Sequence, residues 1–184
     1  MKNLVLLSIL LICTYSYGQK FSVSPNGLRD ANNTEKSFII IPVEGKTAKE
    51  LYDQAIKYIN INYKSPDNVI KGKIEGEYLR FNTYAPHFII IKNVLARAPF
   101  NAKFSTELSF KDGKIKYEII DLEIYSEANY PLYFTGSGIS SFFIYNKEGI
   151  LKREDAKTGV EDFFNALILS FSLFLQTDKV QEEW

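Results

Sequence analysis

Residues 47–63, TAKELYDQAIKYININY, decide how the chain folds. Thr47 followed by Glu50 has the spacing of a capping box, in which hydroxyl and carboxylate satisfy amide donors that a helix start would leave orphaned. Leu51, Tyr52, Ala55, Ile56 and Ile59 then recur at helical spacing and give one apolar face. Lys49, Asp53, Lys57 and Asn60 fill the opposite side. Ser65-Pro66-Asp67 ends the segment, because the residue before proline is pushed out of the α region. An amphipathic helix needs a partner surface, and the rest of the chain has to supply it.

Outward from this helix, most of the chain reads as strand. SFIIIPV at 37–43 precedes the helix as a first strand. After it, 69–74 and 78–82 alternate around a Glu75-Gly76 turn, 87–94 holds a continuous FIII run, and 102–110 alternates through Phe104, Thr106, Leu108 and Phe110. Asp112-Gly113 joins this last strand to 115–125, and Asp-Gly between alternating strands predicts a type I′ hairpin. Within 115–125 the apolar parity slips from odd (Ile115, Tyr117, Ile119) to even (Ile120, Leu122, Ile124). A β-bulge near Ile119–Ile120 would absorb the slip.

Residues 126–138 read as loop, with Pro131 and Gly136-Ser137-Gly138; 139–145 reads as a short strand. A second helix is expected from Thr158, with Glu161 as its capping partner, to about Gln176. Its apolar residues leave only a narrow polar stripe, so it must be covered on more than one side. The sheet, the first helix and a second copy of the chain are the available covers. That makes 158–176 a homodimer candidate.

The two ends are different in kind. Lys2, an apolar run from Leu4 to Ile12 and the small residues Ser16 and Gly18 form an export signal, with cleavage expected after Gly18. Ile12 stands where lipoprotein processing needs a small residue, which argues against a lipid on Cys13. The expected organisation is a signal peptide at 1–18, a flexible polar segment at 19–36, a single α+β domain at 37–178 and a tail at 179–184. After cleavage no cysteine remains, and the expectation is a periplasmic or secreted chain without a transmembrane span.

Charge and chemistry exclude more than they select. Lys plus Arg and Asp plus Glu number 22 each, so no basic field steers the chain to nucleic acid. His87 is the single histidine. It has no mature cysteine and no Gly-x-Ser-x-Gly serine to activate. A hydrolase or lyase using His87 with a carboxylate such as Asp121 is therefore the rival reading, and a strand-end histidine the plain one. Asp121 and Glu123 share a strand face but match no metal loop, and Gly136-Ser137-Gly138 lacks the helix and lysine of a phosphate loop. No catalytic residue, metal ligand or cofactor is expected. Tyr130, Tyr133, Phe134 and Tyr145, among other aromatics, are the candidate ligand-binding residues, since exposed rings with polar tips make contact surfaces for peptides or glycans. Their plain reading is cover for the sheet and second helix.

The order is strand, helix, antiparallel strands, helix. Together with ELYDQAIKYININYKSPDNVIKGKIEG and FKDGKIKYEIIDLEIY, it resembles a family of signal-peptide-bearing bacterial proteins, known as a domain of unknown function with a TBP-like fold. The resemblance covers roughly 37–125. It implies two helices on one face of a curved antiparallel sheet, and export, and it brings no catalytic residues. Fold does not carry function, so DNA binding is not implied. The expectation is a non-enzymatic binding or interaction module, or a self-associating envelope protein.

Overall fold

The computed structural model describes residues 19–92, 97–138 and 142–177. The expected signal peptide and tail lie outside the described residues. The chain runs β1 (Phe21–Ser24), β2 (Gly27–Asp30), β3 (Phe38–Pro42), α1 (Ala48–Asn62), α2 (Pro66–Val69), β4 (Ile70–Ile74), β5 (Tyr78–Lys92), β6 (Arg97–Lys111), β7 (Lys114–Ser126), β8 (Leu132–Gly136), β9 (Phe142–Asn146) and α3 (Glu154–Gln176). Five strands make the main sheet in the order β3-β7-β6-β5-β4, antiparallel throughout.

Helix α1 starts as its sequence dictates. Thr47 caps Glu50 N–H, and the Glu50 carboxylate accepts Thr47 N–H at 2.7 Å. Its buried stripe of Leu51, Tyr52, Ala55 and Ile59 faces the sheet, where the Tyr52 ring meets Phe110 edge-on at 5.6 Å. Helix α3 lies on the same side of the sheet. Phe164 packs against Phe88 and Phe104, and Phe171 packs against Tyr117 and Tyr58. The core is therefore one layer between the two long helices and the odd or even positions that each strand turns toward them: Leu79, Phe81, Leu108, Phe110, Ile115, Tyr117, Ile39 and Ile41, all buried.

Several expectations need correction. The N-terminal segment expected to be flexible contains the β1–β2 hairpin. Phe21, Val23 and Leu28 are buried. Phe21 exchanges two hydrogen bonds with the Asn165 side chain, and Val23 N–H donates to Glu161. The alternation on either side of the Pro-Asn-Gly turn is too brief to read as strand, and the partner that stabilises it is far away in sequence.

Helix α3 begins a turn earlier than Thr158, at Glu154, with Arg153 as N-cap. Glu161 is no capping partner: its carboxylate accepts from Val23 and pairs with Lys157 at 3.0 Å. By length and composition α3 could cross a membrane, contrary to the expectation that nothing beyond the leader could. In this fold its stripe of Ala156, Val160, Phe164, Ile168, Phe171 and Leu175 is core.

The segments 78–82 and 87–94 join, as far as Lys92, into one strand, β5, bent where Pro86, His87 and Phe88 oppose the single residue Asn101. A bulge is where a strand tolerates proline. The bulge in β7 lies two residues beyond its expected place: Asp121 and Leu122 oppose Phe104, and Asp121 takes a left-handed φ of 51°. The Asp112-Gly113 turn is not type I′, because only Gly113, at φ 74°, has a positive φ. Tertiary bonds shape it instead. Gly113 N–H donates to Lys46 O, Gly113 O accepts from Val43, and Asp112 accepts Ala48 N–H at the start of α1. Finally, β8 lies inside the expected loop and pairs with β9 in parallel.

Candidate functional site

Alternation along β5 sends Arg80, Asn82 and Tyr84 to the sheet face that the two long helices leave uncovered. Their register partners on β6 are Glu107, Ser105 and Lys103. Beyond these, β7 contributes Asp121 and Glu123. Between these side chains and the short α2 lies an open trough of about 470 Å³, its far wall made by Asn68, Val69 and Lys71.

Arg80 is the centre of this face. Its Nη2 donates to Asp121 Oδ2 at 2.6 Å and lies 3.4 Å from Ser105 Oγ, and Nη1 is 3.9 Å from Glu107. The Nε–H is buried and has no hydrogen-bond partner among the described residues. Ser105 is itself buried and donates to Asn82 Oδ1 at 2.9 Å. Tyr78 donates to Glu107 at 2.6 Å; desolvation first, and then that bond to a carboxylate, push its hydroxyl up to about 12. The phenol therefore stays a donor at any physiological pH. The bulge in β7 places Asp121 here. By inserting one residue, it turns a side chain toward Arg80 at a point where regular alternation would have pointed it into the core.

Two of the trough's cations make no ion pair among the described residues. Lys71 Nζ donates to Asn68 O at 2.7 Å, and Lys103 Nζ sits 5.3 Å above the Tyr125 ring. Tyr84 is 57% exposed at the trough's rim.

The residues selected from sequence fall elsewhere. Tyr130 and Tyr133 are exposed, but Tyr145 is buried with its hydroxyl on Val23 O, and Phe134 packs half-buried against the core. The four do not share a surface. His87 lies on the outside of the β5 bulge, 69% exposed, and its carboxylate neighbour is Glu127 at 3.5 Å. Asp121, the carboxylate expected to serve it, is held by Arg80. Among the described residues no three His, Cys, Asp or Glu side chains gather as metal ligands. Sequence reading passes over Arg80 and Lys103 because single cations in alternating strands look like solvated positions. The one available signal is the parity slip that brings Asp121 across to them.

No family model matches the chain, and no curated protein does. Two solved structures do. One is a TBP-like protein from Parabacteroides distasonis ATCC 8503, at 12% identity and a TM-score of 0.54, covering 77% of this chain and 92% of that one. The fold is TBP-like. The other is a DUF4468 family protein from Bacteroides ovatus ATCC 8483, at 14% identity and a TM-score of 0.52, covering 77% and 85%. Both long helices pack on the opposite side of the sheet, so they leave the polar face around Arg80 uncovered.

Proposed function

We propose that this protein is an exported, non-enzymatic binding module of the bacterial envelope, and that its ligand lies in the trough on the helix-free face. The observation that carries this reading is Arg80. A partly exposed guanidinium, braced by Asp121 and Ser105, is held in one place in the lining of the trough. A fixed cation in an open lining is ready for an anionic acceptor. Export is supported by the leader-like residues 1–18. The exposure of His87 and Glu127 supports a non-catalytic role, since general acids and bases work best where water is excluded.

Native mass spectrometry of the protein purified from its own envelope fraction tests the proposal. A small, reproducible mass increment that disappears in Arg80→Met supports it. A bare monomer, or recovery of the protein from the cytosol, overturns it.

Self-association is a second reading, favoured by Leu169 and Leu173. These two side chains of α3 are 60% and 53% exposed on its outer side. The same spectra would show it as a dimer.

A further inference from the structure

We infer that the ligand of the Arg80 trough is an oligosaccharide carrying carboxylates, a uronate-type chain. This rests on the binding-module reading above and names its ligand class. Three observations carry it.

The first is a surplus of donors. The trough presents the cations Lys71, Arg80 and Lys103 against the carboxylates Asp121 and Glu123. Asp121 and, at 3.9 Å, Glu107 are already engaged by Arg80, while Lys71 and Lys103 make no ion pair among the described residues and share between them the single carboxylate Glu123, the register partner of Lys103. The complement of such a lining is a ligand rich in acceptors and bearing negative charge.

The second is the mixture of side chains. Asn68 and Asn82 each offer both a donor and an acceptor, while Glu123 only accepts. Ring hydroxyls, each one donor and two acceptors, fit a lining of amides, carboxylates and cations. Tyr84 stands exposed at the rim, with a ring face on which a sugar ring can stack its C–H groups.

The third is shape. The trough is open rather than enclosed, and Phe104 turns its ring to Phe163 and Phe164 on the helix side, which leaves the half-buried Val69 as the aliphatic side chain of the lining. Peptides are held by alternate side chains in pockets or by a helix in an apolar groove. A chain of polar rings needs neither.

The test is titration of the protein from Gln19 to Trp184, followed by amide NMR, with four pentamers: oligogalacturonate, oligoguluronate, the carboxyl-reduced galacturonate, and pentaglutamate. The expected result is that a uronate shifts amides of Asn68, Asn82, Tyr84 and Lys103. The reduced sugar should bind at least about tenfold more weakly. Lys71→Gln with Lys103→Gln, and separately Tyr84→Ala, should each weaken the uronate by about tenfold or more. Glu123→Gln should not weaken it. Each variant changes an exposed residue, and an unchanged spectrum away from the trough verifies folding. Equal binding of the reduced sugar overturns the charge requirement. Tighter trough binding by pentaglutamate overturns the sugar and leaves the binding module standing. Uronate shifts confined to another surface, or no binding by either uronate, overturn the inference. A co-purified mass increment lost in Arg80→Met would still keep the parent reading separate.

Discussion

Glu161 of α3 accepts the backbone N–H of Val23 at 2.8 Å with one carboxylate oxygen and holds Lys157 with the other. One turn on, Asn165 accepts Phe21 N–H at 2.8 Å and donates to Phe21 O at 3.1 Å. The N-terminal strand β1 is thus docked on a helix by side chains acting as a strand edge would.

Glu161→Ala and Asn165→Ala remove these partners and leave β1 backbone groups unsatisfied. Each should cost about 1–3 kcal/mol. The measurement is a lower urea midpoint with an unchanged slope. Combined, they should be less than additive, since both release the same strand.

Gly159 faces Ile89. A Cβ there would lie 3.0 Å from Ile89 Cγ2 and 3.3 Å from its Cβ. Alanine in a helix interior normally gains about 0.8–1.0 kcal/mol over glycine. Here the buried Ile89 opposes it, so Gly159→Ala should destabilise. Gly159→Ala combined with Ile89→Ala, which removes the Cγ2 that the new methyl would meet, should be milder than the sum of the two single changes in the same urea assay.

Glu118 gives a pH signature. Burial acts against its charge, but hydrogen bonds from Lys116 and Ser37 prevail and hold its carboxyl below the ordinary 4.5. A depressed folded pKa contributes stability above the unfolded value, and this stability is lost as pH falls through the folded one. Glu118→Gln should therefore lower the thermal midpoint at neutral pH, and the gap from wild type should close below pH 4.5. A gap that stays constant into acid would show that the pair contributes through packing alone.

The two sides of α3 should respond oppositely to serine. Phe171 is 3% exposed and meets Tyr58 and Tyr117. Phe171→Ser should cost about 3–5 kcal/mol, as core truncations do. Leu169→Ser with Leu173→Ser should leave the unfolding midpoint nearly unchanged in a monomer. If α3 joins two copies, that double change should lower the sedimentation coefficient instead.

What the sequence makes legible depends on the range of the forces involved. Thr47, Glu50 and the stripe from Leu51 to Ile59 are local, and α1 stands where they place it. The alternation of β6 and β7 is also local. The start of α3 escapes such reading because Thr158 and Glu161 have capping spacing, yet Glu161 is committed to Val23 across 138 residues. The Asp112-Gly113 turn departs from expectation for the same reason: its shape answers to Val43, Lys46 and Ala48. At the candidate site, a bulge one position long decides which way Asp121 points. Apolar parity reveals that a bulge exists but locates it only to within a residue or two. The aromatics mislead because Tyr145 and Phe134 are chemically identical to exposed tyrosine and phenylalanine until β1 and the sheet are placed over them.

The docking of β1 on α3 also bears on biogenesis. A chain that emerges amino end first, from a ribosome or a translocation pore, delivers β1 at the outset and α3 last. Phe21 and Val23 meet Asn165 and Glu161 only across gaps of 144 and 138 residues, so their burial waits for nearly the whole polypeptide. Closing such long loops is slow. The nascent protein should therefore stay threadable until its final helix is available. Shortened products that end before Glu154 should be cleared by proteolysis, with no half-domain accumulating.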